Sequence, residues 1–510
     1  MPDITTNSDA ALRASARPKR ADLRWILWFS ALVVIGGVAT QYPVFLLGCL
    51  GAAAAVGIYW FIAVQLRRAG VEIWQLMALT AVSGYMVLNY GFENLTIHAG
   101  GFPIIISYLL MYGALILAIA PRMNFLVTAI KEPPVLCAAA LLFLAFFHLA
   151  VEVPTYGLWA LRDSSMCLDS MFMLLGLLWA TRSNSLVVVP RWLMVIFSVN
   201  MIYGLTLPLG DKIYDWSPKS GVFIEVPILG NYAGTGDALM VGALFCVCVG
   251  SFVIKRPKWL VTVLVLGQLL GVAIAQVRRM YLGAVAVVLI LILAGEIKKF
   301  GKLLILLPAS LAAILLVTTI GGIEITGRVG PVNLDFFRDH IRSMSGEDVE
   351  DTPGSSVHSR IVMLDEAMDH FYAHPVVGEG FGKPLFNEVE PQSGAVSRQA
   401  HNTSITYLAR LGLVGFILWI AFHGMLITRF LHAFRQRHSA DPLVYSFVLW
   451  FFLYYVLFMM ASMVEPAFEF PSGAVPFYFL LGFALGLIRW RLSGKSQGDS
   501  ASLTLQEQGA

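Results

Sequence analysis

Apolar residues in this chain come in unbroken runs of 15 to 25, not in alternation and not as stripes on polar helices. A run of that length crosses a hydrocarbon layer about 30 Å thick as an α-helix, the one local structure that satisfies its own backbone in lipid. About fourteen such runs are predicted, near 25–40, 44–65, 74–91, 103–120, 135–150, 166–181, 192–207, 231–254, 259–276, 280–296, 303–320, 404–428, 443–463 and 474–490. The pattern defines an all-α polytopic membrane protein with its spans in one bundle, and the lipid bilayer is its first partner.

Composition agrees with the pattern. The 510 residues are 58% hydrophobic and only 13% charged, against roughly 25% charged for a soluble domain. Basic residues flanking a span are held on the cytoplasmic side during insertion. With "RPKRADLR" placed inside, the even-numbered connections carry Arg67 and Arg68, Arg122 and Lys131, Arg182 and Arg191, the Lys255–Lys258 group, the Lys298–Lys302 group, and Arg429 with Arg435 and Arg437. Most of the 35 Lys and Arg then fall inside, and both termini are expected in the cytoplasm. The net charge of +3 therefore reports topology, and no nucleic-acid partner follows from it. All five cysteines lie in or beside apolar runs and show neither a disulfide framework nor metal spacing.

The expected organisation is an N-terminal arm (1–24), eleven spans (25–320), a large external loop (321–403), three closing spans (404–490) and a polar tail (491–510). The loop is the only long polar segment. Within it "RIVMLDEAMDHFYAHP" repeats apolar positions at helical spacing, while "SGEDVEDTPGSS" has a disorder-like composition, so a partly helical external subdomain is expected.

Candidate chemistry gathers on that side. "AQVRRMYLG" is a turn so tight that Arg278 and Arg279 lie at the outer membrane surface, against the charge rule. Guanidinium forks suit phosphate, so an anionic partner is one reading; lipid headgroups or nearby acids are the other. "HNTS" opens the twelfth span. Helix capping accounts for Asn402, Thr403 or Ser404 but not for His401, whose imidazole beside a helix N-terminus is favoured in its neutral, proton-accepting form; a structural hydrogen bonder is the other reading. "HPVVGEGFG" brings Gly378, Gly380 and Gly382 together, where backbone amides can approach an anion or simply form a turn. Arg360 can reach the same region or pair with Asp365 or Glu366. Arg410 lies within the twelfth span, either as a functional group or as the partner of a buried acid such as Asp169 or Asp237. His148 and Glu152, one helical turn apart, read best as a local hydrogen bond. There is no Walker loop, dinucleotide fingerprint, nucleophile elbow or His/Cys metal cluster.

Taken in order, "VRRMYLG", "SRIVML", "HPVVGEGFG" and "AHNTSITYLARLGLVGF" make the stretch from about Asn231 to Trp490 resemble the O-antigen ligase and O-antigen polymerase family of bacterial membrane glycosyltransferases. The resemblance implies a C-type glycosyltransferase architecture in the bacterial inner membrane. It also implies transfer, on the periplasmic face, of a glycan from undecaprenyl diphosphate to a glycan or lipid acceptor, without cofactor or metal. Arg278 matches the family's turn arginine, with Val277 in place of a small polar residue, and His401 with Asn402 matches its H-N pair. That assigns His401 and Arg278 as catalytic, and Arg279, Arg360, Asn402, Gly378, Gly380 and Arg410 as substrate-binding. Ligase and polymerase differ only in acceptor, and ligase-type transfer is the reading preferred. A lipid-linked glycan transporter is the competing class, although it predicts repeated halves and ionisable residues deep in the bundle. Oligomeric state is not legible.

Overall fold

The computed structural model describes residues 70–99, 102–223, 225–230, 232–301, scattered positions in 305–318, 325–344, 355–386 and 398–492. The N-terminal arm, the first two expected spans, most of the eleventh and the polar tail beyond 492 lie outside them. The chain divides into two compact units, Met1–Glu72 and Ile73–Ala510. Everything below concerns the second.

Among the described residues, six helices are long and apolar enough to cross a membrane: Ile106–Ile130, Pro133–Tyr156, Ser185–Leu205, Thr403–Arg435, Pro442–Ser462 and Pro471–Leu492. Four shorter apolar helices accompany them, Ile73–Leu88, Ser165–Ala180, Ala233–Cys248 and Trp259–Ala275. Several boundaries differ from the hydropathy reading. The expected span at 103–120 starts as a strand, Phe102–Ile105, paired antiparallel with Thr96–Ala99. The expected span at 166–181 is helical with a tighter 3-10 turn at Asp169–Phe172 between Ser165–Leu168 and Met173–Ala180. Hydropathy registers how apolar a stretch is, and it is blind to such local changes of winding.

Pro471–Leu492 is the central helix, buried over 89% of its apolar window. It packs on Ser165–Ala180 at Gly176 and Gly482, where a Cβ on either would run into the backbone of the facing helix. Small residues at such contacts let helices meet in lipid, where apolar burial alone gives no drive to associate. Large apolar side chains on the periphery, Phe143, Phe147, Ile116 and Ile417 among them, are 61–77% exposed, as befits surfaces facing acyl chains.

Charge separates the two ends of the Thr403–Arg435 helix. Asn402 caps its start, accepting from the Ile405 amide at 3.2 Å. Near its finish Arg429 pairs with Glu132 at 2.9 Å, and Glu132 also takes Arg489 at 2.6 Å. The separation is roughly 40 Å at 1.5 Å per residue, more than the hydrocarbon thickness.

The same helix breaks at Gly412, whose φ of 61° and ψ of −163° interrupt the ladder. The groups freed there pair with the glycine loop. Glu379 N donates to Ala409 O at 2.8 Å and Gly380 N to Arg410 O at 2.9 Å, while Leu413 N donates to Pro375 O at 2.9 Å and Val414 N to Val376 O at 3.2 Å. A side chain on Gly412 would strike the Val376 carbonyl. The break and the loop thus satisfy each other's backbone, which irregular chain near lipid requires. Two helices in the long polar segment, Leu334–Met344 and Ser355–Ala373, precede this docking point.

Candidate functional site

The turn between the Trp259–Ala275 and Arg278–Leu293 helices places the arginines. Gln276 is left-handed at φ 53°, and Val277 is the cap. Arg278 and Arg279 therefore occupy the first turn of a helix, the positive end of its dipole. Two cations there need anions nearby.

Arg279 has them. Its Nε and Nη2 donate to the two oxygens of Asp237 at 3.1 and 2.6 Å, and Nη1 donates to Glu465 Oε1 at 3.1 Å. Arg360 reaches the same Glu465 Oε1 at 3.4 Å, so it pairs across the fold and not with Asp365 or Glu366. His401 Nδ1 lies 3.4 Å from Glu465 Oε2, an ion-pair distance longer than a good hydrogen bond. The backbone at His401 is itself left-handed, φ 48°, a strained state for a side chain of this kind and one found preferentially at functional positions. Glu465 is thus the hub of the cluster. Despite burial, the imidazole and the Arg279 and Arg360 guanidiniums hold its carboxyl down at about 2.

Arg278 is the exception. Among the described residues its guanidinium has no carboxylate and no hydrogen-bond acceptor, and its electrostatic neighbour is the Arg360 cation. Arg328 joins from the 325–344 segment, donating its backbone N to Ile274 O at 3.0 Å and its Nε to Ala275 O at 3.1 Å, within electrostatic reach of Arg279, Glu465 and Asp237. Among the described residues, four guanidiniums (Arg278, Arg279, Arg328, Arg360) against two carboxylates (Asp237, Glu465) leave a local excess of two positive charges, His401 aside. A cavity of about 300 Å³ adjoins the cluster, lined by Asp237, Arg279 and Glu465 on one side and by Tyr85, Tyr454 and Phe458 on the other.

A second set of candidates proves to be scaffolding. Arg410 is only 2% exposed and pairs with Asp163 at 3.0 Å, which is neither of the acids expected for it. It also donates to the carbonyls of Gly380, Lys383 and Arg398 at 2.9, 3.3 and 3.2 Å, which uses up its fork. Asp163 takes Arg398 as well, at 2.7 and 3.2 Å, and the Gly382 amide at 3.1 Å; these cations keep its carboxyl low in spite of burial. The glycine amides are committed too: Gly378 N to His374 O at 2.9 Å, Gly380 N to Arg410 O, and Phe381 N to the Glu152 carboxylate, which is held in turn by His148 at 3.0 Å. Gly378 and Gly380 therefore offer no open nest to a phosphate, and they and Arg410 fasten the loop to the helix break. Asn402 serves as the helix cap.

Sequence reasoning missed Glu465, Arg328 and Asp237's true partner. A signal existed for the first: "VEPAFEF" is a polar interruption on the same expected side as His401.

Fold and site together define a helical membrane protein carrying a histidine and an arginine cluster, balanced by two half-buried acids, at one end of its bundle. Residues 260–420 match the O-antigen ligase family. An O-antigen ligase of Pseudomonas aeruginosa is 25% identical over 301 residues, 54% of this chain and 66% of that protein, so the chain matches just under two thirds of the relative's length. Both similarities point to the O-antigen ligase family. The matched region holds Arg278, Arg279, Arg328, Arg360 and His401, whereas Asp237 and Glu465, the acids that gather them, lie outside it.

Proposed function

We propose that this chain is a membrane glycosyltransferase of C-type architecture that moves a glycan from undecaprenyl diphosphate to an acceptor hydroxyl, as an O-antigen ligase, in surface polysaccharide synthesis. Its site faces the periplasm, its termini the cytoplasm, and its membrane is the bacterial inner membrane. The observation that carries the reading is the Arg278 guanidinium at a helix N-terminus, unpaired among the described residues, in a cluster with two surplus positive charges beside His401. Such a surplus matches a diphosphate, and a helix N-terminus adds amide donors to it.

The chemistry then runs as one displacement. The acceptor hydroxyl gives its proton to His401 Nε2 as its oxygen bonds to the anomeric carbon; the bond from that carbon to the diphosphate oxygen breaks, and the electron pair leaves with the diphosphate. General-base help of this kind contributes typically 10²–10⁴-fold. Arg278 and Arg360 stabilise the charge arriving on the leaving group. Glu465 holds the imidazole by Nδ1 and steadies the imidazolium that forms. Attack opposite the leaving group inverts the anomeric centre. Arg279, saturated by two carboxylates, positions Glu465 and does not itself bind donor.

The test is complementation of a deletion strain at matched expression with wild type, His401→Ala, Arg278→Ala or Arg279→Ala, reading surface polysaccharide on a gel. His401→Ala and Arg278→Ala are expected to abolish product while lipid-linked precursor accumulates, and Arg279→Ala to lower the amount of folded protein. Free long chains not joined to acceptor indicate a ligase, and single repeat units a polymerase. Normal polysaccharide in all three variants refutes the assignment.

A further inference from the structure

At the end of the bundle away from His401, an open groove of about 510 Å³ runs along the Thr403–Arg435 helix beside the start of the Pro133–Tyr156 helix. Ala421, Gly424 and Met425 form its apolar part, and Arg429 and His432 its polar end. Along the helix the two ends lie about 12 Å apart, at 1.5 Å for each residue from Ala421 to Arg429.

Gly424 has no local reason to be glycine. It sits at the centre of a lipid-facing stripe whose other members, Ile417, Ile420, Ile427 and Leu431, are large and 41–62% exposed. Its backbone is helical, so no left-handed turn requires it. Among the described residues nothing lies within 4 Å of a Cβ built there, so no close helix contact requires it either. Glycine inside a helix weakens that helix. What it leaves here is a notch in a bulky apolar stripe, shaped for a chain and not for a side chain of this protein.

Charge at the polar end is one-sided. Glu132 takes Arg429 at 2.9 Å and Arg489 at 2.6 Å. The three segments joined there, 123–137, 421–436 and 488–492, carry Lys131, Arg429, Arg435, Arg489 and Arg491 against Glu132 as their one acid. Arg429 is 39% exposed and spends Nη2 on Glu132, while its Nε and Nη1 have no acceptor among the described residues. Arg435, eleven residues beyond Gly424, is exposed on the same stripe.

Notch and charge together discriminate between occupants. A second copy of this chain, paired two-fold through this face, would bring Arg429 and Arg435 of both copies together. A lipid without net charge would fill the notch and leave the surplus cations unmatched. We infer that the groove binds one anionic diacyl phospholipid of the surrounding bilayer, with an acyl chain across Gly424 and the phosphodiester on Arg429. Guanidinium suits the phosphodiester, and basic pockets between membrane helices hold anionic headgroups in this way. This site is independent of the transferase reading.

The experiment uses full-length protein, delipidated in detergent, as wild type, Gly424→Leu and Arg429→Gln, each checked for an unchanged unfolding temperature without lipid. Native mass spectrometry measures the affinity of the tightest-bound lipid, with palmitoyl-oleoyl phosphatidylglycerol as probe and the phosphatidylcholine of the same chains as control. Wild type is expected to bind the anionic lipid at least tenfold more tightly than the control. Gly424→Leu, which fills the notch, is expected to weaken that binding at least tenfold, and Arg429→Gln to erase the preference over phosphatidylcholine. Because a side chain at 424 meets no described atom, Gly424→Leu decides the matter alone if Arg429→Gln lowers the unfolding temperature. Equal affinity of wild type for the two lipids, or wild-type binding of phosphatidylglycerol by Gly424→Leu, overturns the proposal. If in the latter case wild type runs as a dimer and Gly424→Leu as a monomer, the groove belongs to a second copy of the chain.

Discussion

Glu465→Gln is the substitution that best separates charge stabilisation from donor binding. The carboxylate sits 3.4 Å from His401 Nδ1. At an effective dielectric near 20, that distance corresponds to about 5 kcal/mol between unit charges. Both side chains are about 30% exposed, and solvent screening at that exposure reduces the figure to about 2–3 kcal/mol. Losing that stabilisation of the imidazolium in the transition state lowers kcat roughly 30- to 150-fold. The same substitution raises the local excess from two positive charges to three, so the half-saturation for the anionic donor falls. Arg278→Ala moves donor half-saturation the other way. The assay is initial-rate transfer from purified lipid-linked donor across donor concentrations at saturating acceptor. Wild-type kcat in Glu465→Gln, or a lower kcat coupled to a higher donor half-saturation, refutes the role assigned to Glu465. Because the carboxyl is held from 4.5 down to about 2, its contribution to stability is complete above 4.5 and is lost as pH falls through about 2. The stabilising difference between wild type and the variant is therefore lost as pH is lowered from 4.5 towards 2.

Three further outcomes follow from the scaffold. Asp163→Asn leaves Arg398 and Arg410 buried without an anion and destabilises by about 3–5 kcal/mol, read as a large drop in unfolding temperature in detergent. Gly380→Ala forces a side chain into φ +86° and against the Glu152 carboxylate, at a cost of about 1–3 kcal/mol for the backbone alone; limited proteolysis then cuts the 374–386 loop first. Burial raises the Glu93 carboxyl from 4.5 to about 7, so ionising it opposes folding as pH rises through that interval. Glu93→Gln therefore raises the unfolding temperature at pH 8 relative to wild type and has no such effect at pH 4, measured across a pH series.

Much of the site was visible along the chain, and its errors share one cause. Two arginines in an outside turn and a histidine at a helix mouth stood out because each contradicts its local setting. Arg410 stood out for the same reason, yet its setting is resolved by Asp163, about 250 positions away, and its role is to hold a loop. The glycine loop looked like an anion nest because three glycines permit one. Whether the amides stay open depends on what packs against them, and here the Gly412 break takes them. Glu465 gave only a faint signal, since an acid in an outside loop is ordinary until three cations are found around it.

The sequence by itself determined that this is a helical membrane protein, and it singled out Arg278, Arg279 and His401, which the fold brings to one cluster. Lipid imposes length, hydrophobicity and charge placement residue by residue, so those properties are written locally. Tertiary structure alone decided which of the two arginines has no anion among the described residues, that Glu465 joins His401 to Arg279 and Arg360, and that two cavities share Tyr90 and Phe470 in their walls. Pairing of charges and enclosure of space arise from contacts between residues up to hundreds of positions apart, and no local pattern records them.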